Sequence, residues 1–218
     1  MTHVIWDWNG TLLDDTQAAL DTLNIMLRRR GEASVAMPFY RDHFAFPVRP
    51  FYEAIGVCLE REDWNALALE YHKLYAEQPK CLNVDAKTVL ERVRAVGAGQ
   101  SILSALRQDL LEAALEKFGV RAFFDHVCGV DNLDGASKLS RAGELLAQLA
   151  ATGVSAADIV MIGDALHDKE VADALGVRCV LCAQGSHAAW RLRAVAPTGD
   201  TLLEALDLAL ADAARRTI

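Results

Sequence analysis

Long apolar runs are missing from this 218-residue sequence, and no stretch of it reaches the length needed to cross a bilayer. The first residues also lack a basic segment followed by an apolar one, which is the pattern of a secretory signal peptide. Internal repeats and low-complexity segments are absent too. Hydrophobic residues make up 52% of the chain and charged residues 24%, which is ordinary for a globular protein. We therefore expect a cytoplasmic protein without a membrane segment.

Cysteine is scarce, with five residues scattered at positions 58, 81, 128, 179 and 182. An odd and scattered set favours reduced thiols over a disulfide framework. Cys179 and Cys182 form a CxxC pattern, which can serve redox or metal chemistry. However, both lie in the apolar run from Val177, which predicts a strand, and residues three apart on a strand point to opposite faces. We expect two buried small side chains there.

Basic residues are outnumbered: 22 Lys and Arg against 30 Asp and Glu give a formal net charge of −8. This acidic balance argues against nucleic acid or an anionic membrane surface as the main partner. A small anionic substrate is still compatible with it, because a metal ion and local cations can reverse the field inside one cleft.

Helix and strand patterns divide the chain into two kinds of region. Between about residues 15 and 82 the apolar spacing predicts helices alone, near 16–30, 39–44, 50–56 and 62–77, the first capped by Asp14 or Asp15. Outside that region, strands near 3–6, 100–103, 126–128, 158–162 and 177–182 alternate with helices near 85–96, 107–118, 137–151, 169–175 and 200–213. Such alternation predicts an α/β fold with a doubly wound parallel sheet. We place the core at 1–14 and 83–218 and a helical domain at 15–82.

Two of the apolar strands end in acidic residues. Asp7 follows the first strand, and Asp164, with Asp168 four residues later, follows the strand near 158–162. In open α/β sheets, ligands bind outside the carboxyl ends of the strands. Carboxylates on adjacent strands, about 4.8 Å apart, repel each other unless a cation lies between them. Mg²⁺ binds through a few carboxylate oxygens together with substrate phosphate, so the pattern indicates a magnesium site.

Two more polar residues fall at positions suited to chemistry. Ser104 follows the strand near 100–103 at its carboxyl end, whereas Ser101 lies at the start of that strand, the wrong end of the sheet. Lys138 stands where a helix begins, and a lysine there opposes the helix dipole, which suggests a role other than a structural one. Each signal is weak alone, since strand-end serines and surface lysines are common.

In chain order, Asp7-Trp8-Asn9-Gly10-Thr11, Ser104, Lys138 and Gly163-Asp164 with Asp168 resemble the four motifs of the haloacid dehalogenase (HAD) superfamily. The helical region after the first strand is similar to the C1 cap of that superfamily. The resemblance covers nearly the whole chain, and the best likeness is to the phosphoglycolate phosphatase-like branch. It implies a HAD Rossmann-like core and hydrolysis of a small phosphoester.

This resemblance also implies a role for each residue. Asp7 would be the nucleophile that forms an aspartyl-phosphate, and Lys138 would neutralise it. Thr11, Ser104 and Lys138 would bind the phosphoryl group. Mg²⁺ would be bound by Asp7, by the backbone carbonyl of Asn9 and by Asp164, while Asp168 would hold either a metal-bound water or a neighbouring lysine.

Asn9 departs from the family pattern, in which an aspartate protonates the leaving alcohol and then deprotonates the attacking water. An amide can do neither, and positioned acid–base catalysis is worth about 10²–10⁴-fold in rate. The sequence thus predicts a slow phosphatase, one limited to good leaving groups, or one that uses another acid such as His167 or a cap residue.

Two alternatives stay open at this stage. One is a catalytically impaired HAD scaffold that binds a phosphorylated ligand without turnover. The other is a 2-haloacid dehalogenase-like hydrolase, which Gly163-Asp164 disfavours because those enzymes need no Mg²⁺ and lack this motif.

The cap would supply substrate contacts by the same resemblance. Arg41, His43 and Arg49 lie in its proline-rich stretch and could meet an anionic substrate, although solvated positions are the simpler interpretation. Trp6 is expected in the core, whereas Trp8 could face the cap. We expect a small phosphoester as the partner and either a monomer or a homodimer.

Overall fold

The computed structural model describes residues 3–131 and 138–215. Its strands are β1 (His3–Trp6), β2 (Leu13–Asp14), β3 (Cys81–Leu82), β4 (Gly99–Arg107), β5 (His126–Val130), β6 (Ile159–Gly163), β7 (Arg178–Cys182) and β8 (Thr198–Gly199). Its helices are α1 (Thr16–Arg29), α2 (Met37–His43), α3 (Arg49–Ala54), α4 (Trp64–Glu77), α5 (Ala86–Ala95), α6 (Gln108–Lys117), α7 (Lys138–Ala151), α8 (Leu166–Leu175), α9 (Ala189–Arg193) and α10 (Leu202–Arg215). Among these described helices, none is both long and apolar enough to cross a membrane.

Six strands form one parallel sheet in the order β5-β4-β1-β6-β7-β8. The central strands β1 and β6 are buried at every residue, as expected for parallel strands covered on both faces. The chain runs from β1 outward to β5, then returns beside β1 and continues to β8. The strand order therefore reverses at β1, and the crevice at the carboxyl ends of β1 and β6 is the place where such sheets bind ligands.

Helices cover both faces of this sheet. One face packs against α5, α6 and α10 through residues such as Leu90, Leu111 and Leu206. The other packs against α7 and α8. Cys182 belongs to the first core and Cys179 packs against the second, so the CxxC residues point to opposite faces, as predicted.

Helices α1 to α4 share a third core of their own. It includes Leu20, Leu27, Tyr40, Phe51 and Leu67. The chain enters this helical group after β2 and leaves it through β3, and these two short strands pair with each other in antiparallel fashion. The prediction that residues 15–82 contain no strand was therefore wrong at Cys81–Leu82. Two-residue strands have no periodicity that a sequence pattern could reveal.

Two other expectations need correction. Trp8 is fully buried in the first core, with its ring centroid 6.2 Å from that of Phe118, so it does not face the cap. Strand β4 extends well beyond the predicted 100–103, and its pairing with β5 is irregular between Leu103 and Arg107. Ser104 lies in that irregular stretch, at the carboxyl edge of the regular ladder. The sequence pattern did not predict β8 or α9, which have two and five residues and are too short for a clear periodicity.

His3 is a buried titratable group at the opposite, amino-terminal edge of the sheet. Its Nε2 lies 2.8 Å from the hydroxyl of Ser101, which confirms that Ser101 is at the wrong end for catalysis. Burial lowers the pKa of His3 to about 4, although Asp125 opposes the shift.

We expect His3 to make folding stability depend on pH. An unfolded histidine has a pKa of about 6.5, so between pH 6.5 and 4 the unfolded chain binds a proton that the folded chain does not. Stability should fall as the pH falls through this window, by roughly 2–3 kcal/mol for this residue. His3→Gln, which does not titrate, should lose less; urea unfolding at several pH values measures the difference. The exposed His43→Gln is the matched control. An unchanged pH dependence in His3→Gln would contradict the assignment.

Candidate active site

Four charged residues are buried together at the carboxyl edge of β1 and β6: Asp7, Lys138, Asp164 and Asp168. Asp7 directly follows β1, and its N–H donates to Ile162 O of β6 at 2.9 Å. Asp164 directly follows β6. Lys138 and Asp168 lie in the first turns of α7 and α8, which begin at the same edge. The sheet topology thus brings together residues that are far apart in sequence.

Lys138 bridges two of the carboxylates. Its Nζ lies 2.7 Å from Asp7 Oδ1 and 2.7 Å from Asp168 Oδ1. Asp168 thus contacts a neighbouring lysine, which is one of the two partners expected for it. The other oxygen of Asp168 accepts the N–H groups of Asp164 at 3.1 Å and Ala165 at 3.0 Å, so this carboxylate is fixed on both sides.

Asp164 is held by a second set of donors. Thr11 Oγ1 donates to its Oδ1 at 3.2 Å, and the N–H and hydroxyl of Ser186 donate to its Oδ2 at 2.6 Å each. Thr11 is fully buried and lies behind Asp164, so here its hydroxyl orients a carboxylate. Ser186 was not among the predicted residues. It lies in the loop that follows β7, and its contact with Asp164 depends on the pairing of β7 with β6.

Two glycines allow this close packing. A Cβ atom at Gly10 or at Gly185 would overlap the carboxylate of Asp164. Gly10 also has a φ of +74°, a left-handed conformation that side chains disfavour. The loop after β1 therefore requires glycine for two separate reasons.

The cluster carries more negative than positive charge, since three carboxylates surround one ammonium group. Burial raises the pKa of Asp7 well above its usual value, although Lys138 opposes this shift. Burial, and then repulsion by Asp168, raise the pKa of Asp164 to about 7. Burial also disfavours ionisation of Asp168, but Lys138 outweighs it and lowers the pKa of that group. A further cation would relieve the repulsion that the ammonium leaves uncompensated.

Asn9 points toward the helical group and not toward the charged cluster. Its Nδ2 donates to Asp15 Oδ2 at 2.7 Å and to the Tyr75 hydroxyl at 3.0 Å. The Tyr75 hydroxyl in turn donates to Asp15, and Asp15 Oδ1 accepts the N–H of Gly10 at 2.7 Å. Asp15 stands at the N-terminus of α1, as predicted, but its carboxylate makes no capping bond and instead joins this network. Neither Asp15 nor Tyr75 was predicted as part of the site.

A cavity of about 230 Å³ separates the charged cluster from helices α1 to α4. Six of the predicted site residues line it: Asp7, Asn9, Ser104, Lys138, Asp164 and Asp168. The hydroxyl oxygen of Ser104 accepts the N–H of Leu106 at 3.1 Å, which holds the side chain at the cavity edge.

The candidate cap residues have other partners. Arg41 donates to the carbonyls of Gln184 at 2.9 Å and Gly185 at 3.0 Å. The Arg49 guanidinium lies 4.3 Å from the centroid of the Trp64 ring, and His43 is exposed. Within the described part of the chain, the cavity wall includes none of the three, but it does include His167. The possibility that Arg41, His43 or Arg49 meets the substrate thus has no support in this geometry.

Known proteins share both the sequence pattern and the fold. The model of the family described as haloacid dehalogenase-like hydrolase matches residues 4–182. A protein named probable phosphatase IndB, from Dickeya dadantii strain 3937, is 26% identical over 205 residues, which cover 89% of this chain and 86% of that protein.

Among solved structures, a haloacid dehalogenase-like protein from Agrobacterium tumefaciens strain C58 superposes with a TM-score of 0.78 at 22% identity, covering 99% of both chains. A protein named a predicted phosphoglycolate phosphatase, from Haemophilus somnus 129pt, has a TM-score of 0.71 at 15% identity and covers 96% of this chain and 98% of its own. At these identities the superpositions establish the fold alone. The family match over most of the chain establishes the family. The chain belongs to the haloacid dehalogenase-like hydrolase family.

Proposed function

We propose that this protein is a Mg²⁺-dependent phosphomonoester hydrolase that uses Asp7 as its nucleophile. The observation that carries the proposal is the buried cluster of Asp7, Lys138, Asp164 and Asp168, which opens onto a cavity at the reversal point of the sheet. The family match and the phosphatase name of the relative from Dickeya support the same chemistry.

The residues of the cluster suggest how the reaction proceeds. Asp7 attacks phosphorus and forms an aspartyl-phosphate, which water then hydrolyses. Lys138 contacts Asp7 and opposes the rise in its pKa that burial causes, so it favours the ionised nucleophile, and its ammonium group would also attract the phosphoryl oxygens. Ser104, which also lines the cavity, can donate its hydroxyl to a phosphoryl oxygen, because the bond that it makes with Leu106 uses only a lone pair.

The donor set fits Mg²⁺. Carboxylate oxygens of Asp7, Asp164 and Asp168 lie within 4.8 Å of one another, and hard oxygen ligands are those that Mg²⁺ prefers. We propose Asp7, Asp164 and the backbone carbonyl of Asn9 as direct ligands, with Asp168 acting mainly through Lys138 and the N–H groups of the loop. When bound, the ion would supply charge stabilisation for the transferring phosphoryl group.

The contacts of the Asn9 side chain favour a phosphatase without an acid at this position over one in which another residue supplies the acid. The amide protons are used by Asp15 and Tyr75, and His167 has its Nδ1 3.1 Å from the carboxylate of Glu170. A scaffold that binds a phosphorylated ligand without turnover is the second candidate, since Asn9 is a specific observation in its favour.

We also propose residues 15–82 as a cap domain, with its own hydrophobic core, and 1–14 with 83–218 as the core domain.

Hydrolysis of p-nitrophenyl phosphate tests the nucleophile. We expect Mg²⁺-dependent turnover in the wild type and none above background in Asp7→Asn, because an amide cannot attack phosphorus. Asp14→Asn, which alters an exposed carboxylate of the same loop, should match the wild type. Release of chloride from 2-chloropropionate, assayed in parallel, should be absent. Equal rates in wild type and Asp7→Asn would contradict the proposal.

Restoring a carboxylate at position 9 should require a second change. An aspartate there would face Asp15 across the 2.7 Å that the amide now spans, so Asn9→Asp alone should lose stability through repulsion between the two carboxylates. The exchange Asn9→Asp/Asp15→Asn keeps both the charge and the hydrogen bond. We expect it to raise kcat on alkyl phosphates by up to about 10²-fold, and to raise it less on p-nitrophenyl phosphate, which needs little acid assistance. A double variant no faster than the wild type would show that the missing acid does not limit the rate.

Gly10 tests the arrangement of Asp164. Gly10→Ala should both strain the backbone and displace Asp164, because the new methyl group overlaps its carboxylate. Gly31→Ala is the matched control, with a φ of +76° and no atom within 4 Å of the added methyl. Gly31→Ala should lose about 1–2 kcal/mol of stability through backbone strain alone and Gly10→Ala at least as much, but only Gly10→Ala should need more Mg²⁺ for half-maximal rate. The same Mg²⁺ requirement in both would count against Asp164 as a ligand.

A further inference from the structure

The cavity has two chemically different ends. Its inner end is the charged cluster at the edge of the sheet. Its outer end is formed by the helical group and is mainly aromatic, with walls that include Tyr40, Phe44, Phe46, Trp64, Tyr71 and Tyr75. A phosphoryl group at the inner end would therefore place the rest of a substrate among aromatic rings.

These rings pack against one another at the distances of ordinary aromatic contacts. Tyr40 and Phe44 are stacked with centroids 4.8 Å apart, and Phe46 meets Phe44 edge-on at 5.3 Å. An aromatic ring of a substrate could add to these contacts in the same stacked or edge-on arrangements. The hydroxyl of Tyr75 is already bonded to Asp15, so it is poorly placed to solvate a charged group.

The lysine and arginine charge of the cavity wall lies at the inner end, and the wall also includes two histidines, His72 and His167. Among the described residues of the cavity wall, Lys138 is the one lysine or arginine, and Asp7 and Asp168 already occupy it. The nearby arginines of the helical group have other partners. Arg41 binds backbone carbonyls, and the guanidinium of Arg49 lies over the ring of Trp64. Arg30 pairs with Glu62 and Glu70. A second anionic group on the substrate, such as a carboxylate, would be buried without a lysine or arginine to pair with it, which is costly.

The chemistry of Asn9 favours the same kind of substrate for a separate reason. With no acid at position 9, the leaving oxygen must depart largely as an anion. A phenol, with a pKa of about 10 as in tyrosine, tolerates this much better than an alkanol does. The missing acid and the aromatic wall therefore select the same kind of leaving group.

We propose that the substrate is an aryl phosphate, that is, a phosphomonoester whose leaving group is a phenol without a second anionic group. This substrate class rests on the proposed phosphatase function. Asp7 forms a bond to phosphorus as the bond between phosphorus and the phenolic oxygen breaks, and the electron pair stays on the phenolate. Water then displaces Asp7 from phosphorus, and its protons pass to phosphate and phenolate, so that one ester and one water give one phenol and one inorganic phosphate.

Three esters separate this proposal from its rivals. Phenyl phosphate and 4-carboxyphenyl phosphate have similar leaving groups and differ in a carboxylate at the far end of the ring. Phosphoglycolate carries a carboxylate on an alkyl leaving group. We expect kcat/KM for phenyl phosphate to exceed that for each of the others by at least about 10-fold, because the carboxylate would be buried without a lysine or arginine to pair with it. A kcat/KM for phosphoglycolate equal to or above that for phenyl phosphate overturns the proposal and leaves the phosphatase function intact.

Binding of phosphonates gives a second readout that needs no turnover. Benzylphosphonate imitates phenyl phosphate, and 3-phosphonopropionate imitates phosphoglycolate, each with a carbon in place of the bridging oxygen. Calorimetry on the wild type with Mg²⁺ should show tighter binding of benzylphosphonate. If this preference holds while no ester is hydrolysed, the phosphatase function fails and the ligand class stands. Equal or weaker binding of benzylphosphonate overturns the ligand class.

A charge placed in the wall should reverse the preference. Phe46 is 37% exposed, so Phe46→Lys can be accommodated, and it adds a cation to the outer end of the cavity. It should lower kcat/KM for phenyl phosphate and raise it for 4-carboxyphenyl phosphate. Phe39→Lys, at a residue of α2 that is 41% exposed and is not part of the wall, should leave both values unchanged. The same selectivity in both variants contradicts the proposal, and the wild-type comparisons stand whether or not the variants fold.

Discussion

The ammonium group of Lys138, buried between Asp7 and Asp168, is the interaction on which the site depends. Charges removed from water are costly unless they are paired closely, and removing one partner leaves the others buried and uncompensated. The pairing also explains why α7 and α8 must begin at the same edge of the sheet. One helix brings the ammonium and the other brings the carboxylate that fixes it, so the packing of two helices sets the environment of the nucleophile.

The sequence could reveal this edge because its signals are local. Asp7 and Asp164 each end a continuous apolar run, and parallel topology carries such ends to one side of a sheet. The two-faced placement of Cys179 and Cys182 follows from the two-residue period of a strand and was equally accessible. Lys138 and Ser104 were weaker signals on their own, and they supported the prediction because they occur in the same order along the chain as the motifs of the family. Lys138 now lies in the cluster, while residues 134–137, which precede it, lie outside the part of the chain that the structure describes.

What the sequence could not reveal depends on contacts between distant segments. Trp8 follows Trp6 by two residues and would share its face if the chain stayed extended, but β1 ends at Trp6, so the strand period alone does not place Trp8 in the same core. Ser186 matters only because the end of β7 lies beside that of β6. Arg41 could be interpreted from the sequence as a substrate contact, but in the fold it donates to carbonyls of the loop after β7. Side chains with many possible partners are the ones for which local pattern carries least information.

The network of Asn9, Asp15 and Tyr75 links the reaction edge to the helical group. Position 9 belongs to the loop after β1, Asp15 to the start of α1 and Tyr75 to α4, so the amide of Asn9 contacts both helices and adds to the direct bond between Tyr75 and Asp15. Because the partner is a carboxylate, a neutral donor at position 9 satisfies it and a second carboxylate would not. The amide of Asn9, which cannot act as an acid, is therefore also the group that avoids repulsion with the carboxylate of Asp15. A site built in this way favours leaving groups that need no proton, and the aromatic wall beside it accommodates the uncharged ring that such a group would carry.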